Sequence, residues 1–268
     1  MDNGSDVELP EFLYQYRTLE GAGLTYLEQF LLRNELYLGS PARFNDPFDA
    51  KVNVDFSRAT AQDWRRLFMG GLKKAQPNLS YQKREKEVTR IMKTGRYKDA
   101  ASRNAFISHL QAEVDRLGIA CFSEIPTNIL MWSHYAASHT GVCIQFDHLN
   151  PNSLIATAQR VDYSDDYEPL RALLDDEVRQ VEKVFLTKAG CWRYEREWRI
   201  IDIEQGVGVR KLPPSAVRGI ILGCRMEAPM RESVLSIIAK RPRQVEIFQA
   251  RKNSTKFALD LEKVAEAV

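Results

Sequence analysis

No apolar run in this sequence approaches the ~18–20 residues that a bilayer span requires, so neither a spanning helix nor a membrane partner is expected. Met1 to Pro10 is polar and acidic, without the basic start or apolar core of a secretion signal, and the expected compartment is the cytoplasm. Cysteine is scarce. The four, at positions 121, 143, 191 and 224, form no CxxC pair, which argues against paired-thiol zinc and redox sites. Three sit in strand-like apolar runs and Cys224 ends one, so reduced core thiols are expected. The histidines at 109, 134, 139 and 148 show no metal-ligand spacing; His134 and His139 are five apart, not three or four. No metal is therefore expected. Internal repeats and low-complexity tracts are also missing.

What is present is a near-neutral chain, at +2, whose 268 residues and 44% hydrophobic content suit one domain, 1–268, with a sizeable core. The charge is unevenly spread. Residues 58–117 hold 14 Lys or Arg against 6 Asp or Glu, a local +8 that leaves −6 elsewhere. Their periodicity predicts a basic helical insertion, with helices near Ala61–Lys74, Tyr81–Thr94 and Asp99–Leu117. Such an insertion reads as a solvated helical face or, more sharply, as a nucleic-acid surface. Arg65, Arg66, Lys73, Lys74, Lys83, Arg84 and Lys86 supply the charge, with little aromatic interleaving.

Around it, short strands are predicted at Glu11–Arg17, Glu35–Leu38, Gly118–Glu124, Gly141–Asp147, Gln159–Asp165, within Ala216–Gly223 and at Gln244–Arg251. Helices are predicted at Leu24–Leu32, Ile129–Ser138, Tyr167–Lys188 and Met230–Lys240, with a short helix or a frayed end over Phe257–Val268. The loop Ser40–Asp49, punctuated by two prolines, mixes Arg43, Asn45 and Asp46 with two aromatics and could rim a site. The sum is an α+β fold, with a mixed sheet and clustered helices.

The densest stretch is Cys191–Asp202. As a strand it would place Trp192, Tyr194, Arg196, Trp198 and Ile200 on one face and Arg193, Glu195, Glu197, Arg199 and Ile201 on the other. The aromatic face would pin the strand, while the charged face would look into a cleft or simply carry exposed charge pairs.

Three blocks carry a resemblance: Leu36–Asp49, then Cys121–Glu124 with Met131–Ala136, and Tyr194–Arg199. In these the chain resembles a bacterial family, domain of unknown function 2971. A second resemblance is to the ADP-ribosyltransferases of the arginine–serine–glutamate type. Leu13–Thr18 through to Leu38 is similar to their first strand, helix and second strand, Gly118–Tyr135 to their serine strand and following helix, and Glu195-x-Glu197 to their late acid strand. This implies a mostly antiparallel split sheet, NAD as substrate, and Arg17, Ser123 and Glu197 as the catalytic trio. Tyr16, Arg43, Asn45, Trp132, His134, Tyr135 and Glu195 are then expected to line the cofactor. The sequence departs from that pattern in having Glu124 and Ile125 where a Ser-Thr-Ser run would continue.

The implied reaction cleaves the nicotinamide–ribose bond through an oxocarbenium-like cation, which a carboxylate such as Glu197 would stabilise. Arg17 would clamp phosphate with its planar fork, and Tyr135 or Trp132 would offer a ring face to nicotinamide. ADP-ribose would pass to a protein, nucleic acid or water, as in a toxin or phage-defence effector. Two other readings stand beside this one. One is a non-catalytic nucleic-acid-binding or interaction module using residues 58–117. The other is a metal-free or metal-dependent hydrolase using Asp46, Asp49, His134 and Glu197.

Overall fold

The computed structural model describes residues 8–171 and 174–264. In chain order its elements are β1 (Phe12–Arg17), α1 (Gly23–Arg33), β2 (Glu35–Leu38), α2 (Ala61–Ala75), α3 (Tyr81–Thr94), α4 (Ala100–Val114), β3 (Gly118–Ser123), α5 (Ile129–Tyr135), β4 (Val142–Asp147), β5 (Gln159–Arg160), β6 (Asp162–Ser164), α6 (Glu177–Phe185), β7 (Thr187–Ala189), β8 (Glu197–Asp202), β9 (Gly208–Lys211), β10 (Val217–Leu222), α7 (Ala228–Ala239), β11 (Glu246–Lys252) and β12 (Leu259–Lys263). They divide into two compact units, the first made of Met1–Ser40, Leu117–Tyr163 and Gly190–Val268, the second of Pro41–Arg116 and Ser164–Ala189. The second unit therefore takes in more than the expected insertion at 58–117.

The first unit is built on an eight-stranded sheet in the order β12-β11-β10-β4-β1-β3-β8-β5. Every neighbouring pair is antiparallel except β10–β11, which α7 connects as a crossover. A mixed, mostly antiparallel sheet of the expected class results. Alternation along the strands divides the core in two. Leu13, Phe122, Ile144, Phe146, Trp198 and Ile200 pack on one face with Leu27, Phe30 and Leu31 of α1 and Val234 and Ile237 of α7. Tyr16, Cys143, Ile221 and Ala250 pack on the other with Met131 and Trp132 of α5.

In the second unit the three basic helices form as the periodicity predicts. Each has a side-chain cap, Thr60 for α2 with a reciprocal bond from Asp63, Ser80 for α3 and Asp99 for α4. Trp64 gathers rings that are scattered in sequence, stacking on Phe56 at 5.3 Å and meeting Phe68, Tyr97 and Phe106. Lys188 and Asp49 form a buried ion pair at 3.5 Å.

Other sequence expectations also differ from the structure. The strand expected over Gln159–Asp165 is split into β5, in the eight-stranded sheet, and β6, which pairs with β7. The long helix over Tyr167–Lys188 is reduced to α6, Glu177–Phe185. Pro169 disfavours helix before it, Leu170 instead bridges Val54, and Asp176 caps α6 by accepting from the Arg179 N–H. Residues 172–173 of that predicted helix lie outside the described residues. The C-terminal segment contains the strand β12 in place of a helix. Its apolar Leu259 and Leu261 alternate with Asp260 and Glu262, a period of two, and the edge of β11 accepts them; residues 265–268 lie outside the described residues. The predicted strand over Cys191–Asp202 begins only at Glu197. Gly190–Glu195 winds as a 310 turn, and Arg196 takes a left-handed backbone at φ 47° that breaks the alternation.

Candidate functional site: a thiol, an imidazole and a hydroxyl at a cavity

The acid strand was the expected site, and the structure closes it. Glu197 and Arg199 of β8 do share a face, but that face is interior: Arg199 is 0% and Glu197 3% exposed. The Arg199 Nε and Nη2 donate to the two carboxylate oxygens of Glu197 at 2.7 and 2.9 Å, a bidentate fork. Glu195 is equally buried and accepts from the Tyr135 hydroxyl at 2.7 Å. Ser123 donates its hydroxyl to the Glu195 carbonyl at 2.6 Å, so it fastens the 310 turn to the end of β3. Neither the open cleft nor the exposed charge pairs foreseen for this strand are found. The aromatic packing pins the carboxylates inward, where each is held by a donor.

Strand register separates the expected trio. Ser123 pairs with Glu197 and with Tyr14, all on the α5 face. Arg17 pairs with Val142, on the face that α1 and α7 cover. An odd number of residues, three, separates Tyr14 from Arg17, and in a strand that reverses the face. The Arg17 guanidinium donates to Gln15 Oε1 at 2.7 and 3.2 Å. Arg17 therefore does not join Ser123 and Glu197 as a phosphate clamp.

Of the expected cofactor residues, Trp132 is fully buried and Tyr16 nearly so, their rings meeting edge-on at 5.3 Å. The Tyr16 hydroxyl donates to the Ile125 carbonyl at 2.6 Å, and burial pushes its phenol pKa up. These two rings are core. His134 is exposed on α5, its ring 6.4 Å from that of Tyr194. Arg43 and Asn45 are exposed residues of the second unit. Asp46 and Asp49 also belong to that unit and are buried, with Asp49 on Lys188. Among the described residues no group of three or more His, Cys, Asp or Glu is arranged to hold a metal ion.

A different cluster opens onto solvent. Asn128 caps α5, its side-chain oxygen accepting from the Leu130 and Met131 N–H groups, and this short helix presents Ser133. After α5 the chain turns through Ala137, Ser138 and His139, all left-handed, with φ of 46°, 52° and 73°. Three consecutive non-glycine residues in that region are strained and persist only where surrounding contacts fix them. Here the fixing contacts come from the loop after β10. Gly223 donates its N–H to the Gly141 carbonyl and Arg225 its N–H to the His139 carbonyl, both at 3.0 Å. The two loops approach so closely that a Cβ on Gly223 would lie 2.2 Å from the His139 carbonyl oxygen.

Cys224 sits between those two laced residues. Its Sγ lies 3.8 Å from His139 Nδ1, and His139 Nε2 lies 3.2 Å from the Ser133 Oγ. The Ser133 hydroxyl donates its single proton to the Ile129 carbonyl at 2.9 Å. Ser133 can then only accept from His139, which assigns the proton to Nε2 and leaves Nδ1 free to accept from the thiol. The imidazole also lies nearly parallel to the Trp132 indole, at 10° and 6.2 Å. Burial, and secondarily the Arg225 charge, hold the His139 pKa below its ordinary value. Burial raises the Cys224 thiol, against a smaller opposing pull from Lys252, its own N–H and Arg225. At neutral pH the pair is thus a thiol beside a neutral imidazole, the state in which the imidazole is a competent base.

Both groups line a cavity of about 590 Å³, together with Ile129, Arg225 and the β11–β12 loop from Lys252 to Leu259. A nucleophile and a base at the wall of a cavity, with an orienting hydroxyl behind the base, is an arrangement suited to covalent catalysis. Sequence reading passed over all three residues. Cys224 looked like a core thiol and His139 like a histidine without a metal spacing. The available signal was the run Ile220-Ile221-Leu222-Gly223-Cys224, an apolar strand ending in Gly-Cys ahead of a helix, which puts a thiol at a strand's open end.

The family model described as protein of unknown function DUF2971 matches residues 131–200, from α5 into β8. The chain is similar to that family over this stretch, which includes Ser133, His139, Glu195 and Glu197 but not Cys224. No curated protein and no solved structure matches the chain. No helix among the described residues is long and apolar enough to cross a membrane.

Proposed function

We propose that the chain is a cysteine-dependent acyl-transfer enzyme, a hydrolase or transferase acting on an ester, thioester or amide carbonyl. The observation that carries this reading is the donor chain from the Cys224 thiol to His139 Nδ1 and from His139 Nε2 to Ser133, opening on a cavity. His139 takes the thiol proton as Cys224 Sγ attacks the carbonyl carbon. The tetrahedral intermediate collapses, the C–O, C–S or C–N bond to the leaving group breaks, and the imidazolium returns its proton to that group. A thioester on Cys224 remains. Water or another nucleophile, deprotonated by His139, then releases the acyl group and restores the thiol. Ser133 is a positioning residue that fixes the tautomer. At 3.8 Å the sulfur and the Nδ1 nitrogen are within the longer reach of a hydrogen bond that involves sulfur.

The test is p-nitrophenyl acetate. Nitrophenol release should accompany an acetyl group on Cys224, located by peptide mass mapping, and His139→Asn should slow both steps at least ~10²-fold. An acetyl group found instead on the exposed Cys191, or release that is the same in Cys224→Ser, overturns the reading.

Two other readings each have one supporting observation. ADP-ribosyl transfer from NAD is favoured by the adjacency of β1, β3 and β8, the strands carrying Arg17, Ser123 and Glu197. Against it stand the opposed face of Arg17 and the Arg199 fork on Glu197. Labelled NAD tests it, and absence of both nicotinamide release and label transfer removes it. Nucleic-acid contact is favoured by Lys73, Lys74, Lys83, Lys86 and Lys93, which stay exposed without a carboxylate partner among the described residues.

A further inference from the structure

The cavity wall beyond Cys224 and His139 is chemically one-sided. Arg225, Lys252 and Lys256 line it, and no Asp or Glu does. Among the described residues none of the three cations has a carboxylate within ion-pair distance. Elsewhere on β11 and β12 such charges are matched, Arg251 with Glu262 at 2.8 Å and Lys263 with Glu246 at 2.6 Å. Cations left unpaired around a concavity focus a positive potential into it. The rest of the wall combines the apolar Ile129, Phe257, Ala258 and Leu259 with the polar Asn253, Ser254 and Thr255. Phe257 is fully exposed at the tip of the β11–β12 loop, on the rim of this cavity. The cavity volume of about 590 Å³ suits a molecule of cofactor-fragment size.

From this wall we infer that the acyl substrate carries a negatively charged group, carboxylate or phosphate, held by Arg225 and Lys252, with its apolar portion against Ile129, Phe257 and Leu259. The inference rests on the thiol reading of the same site and extends it to a substrate class. Lys256 and Phe257 on the loop would cover the bound group. The Arg225 guanidinium and the Lys252 ammonium would hold the charged group near Cys224 without using the acids of the β8 face.

A pair of alkylating probes of nearly equal size tests it, anionic iodoacetate and neutral iodoacetamide. Each rate at Cys224 is followed by peptide mapping on the intact chain and divided by the rate at a small free thiol. The normalised preference for iodoacetate should be at least ~10-fold at low salt and should fall towards unity near ~0.5 M salt. Lys252→Gln and Arg225→Gln should each remove most of the preference, whereas Lys252→Arg should keep it; thermal melts confirm that each variant is folded. Sodium phosphate and sodium acetate as competing anions distinguish the two charged groups. Equal normalised rates for the two probes would overturn the anionic substrate while leaving the thiol reading in place. A preference untouched by the Gln variants would overturn the assignment to these cations. A Cys224 that neither probe modifies overturns both the substrate class and the thiol reading.

Discussion

At the scale of single residues, two buried or half-buried groups with different partners behave in opposite ways. Arg199 is committed to Glu197 by two hydrogen bonds in the interior. Removing one partner from a buried ion pair leaves the other charge less well compensated, at a cost of up to about 3–5 kcal/mol. Glu197→Gln is therefore expected to lower the melting temperature by roughly 10 °C, with no effect on Cys224 alkylation; a calorimetric scan and the iodoacetamide rate check the two halves. His139, in contrast, is half-exposed, and its Nδ1 accepts from the Cys224 thiol. Its lowered pKa fixes the sign of a pH profile. Iodoacetamide modification of Cys224 should rise with pH as the imidazole loses its proton, with a midpoint below the ordinary histidine value, and then stay flat until the raised thiol itself ionises in the alkaline range. In Ser133→Ala the tautomer is no longer held, and the neutral-pH rate should drop about 10-fold. Linkage gives a companion effect. The folded imidazole binds a proton less readily than the unfolded one, so stability present above ~6.5 is lost as pH falls through the folded value.

At the scale of elements, the site depends on a turn and a strand end. Asn128 starts α5 by capping it, and its side-chain amide also donates to the Tyr194 carbonyl at 2.7 Å. The left-handed run at 137–139 would relax without the backbone bonds from the Gly223–Arg225 loop. Gly223→Ala forces a methyl into the His139 carbonyl. The expected result is a folded but less stable protein in which the pH dependence of Cys224 alkylation disappears, because His139 has been pushed away; circular dichroism and the alkylation profile measure both. The elements also show how far pattern reading carries. The three basic helices and the strands β3, β4, β10 and β11 follow directly from periodicity and turn residues. The first half of the predicted helix at 167–188 fails at Pro169, and β12 is recovered only once its partner β11 is known, because a five-residue Leu-Asp-Leu-Glu-Lys run is weak evidence in isolation. At 191–202 the alternating composition is real, but a left-handed Arg196 shifts the phase, and no composition rule anticipates that.

At the scale of the molecule, charge is segregated. The +8 of residues 58–117 lies in the second unit. Local acids take up part of it, with Arg65 on Glu85 and Arg90 and Arg116 on residues three positions away. If the remaining lysines contact nucleic acid, fluorescence anisotropy should show oligonucleotide binding at ~50 mM salt that weakens by ~10-fold or more at 200 mM, and Lys73→Gln with Lys74→Gln should flatten that slope. Absence of binding at the lower salt removes this reading and leaves the helices as a solvated face. The acyl-transfer reading is unaffected either way, since all its residues belong to the first unit.

The sequence by itself determined the α+β class and the basic helices, because those depend on periodicity and local propensity. Tertiary structure alone decided which side chains meet. Strand register turned Arg17 away from Ser123 and Glu197, interior packing converted an apparent acid site into an ion pair, and a glycine-sized gap brought His139 to Cys224, 85 residues away. Side-chain direction on a strand reverses with every residue, and contacts across a sheet are set by pairing partners that no local pattern encodes.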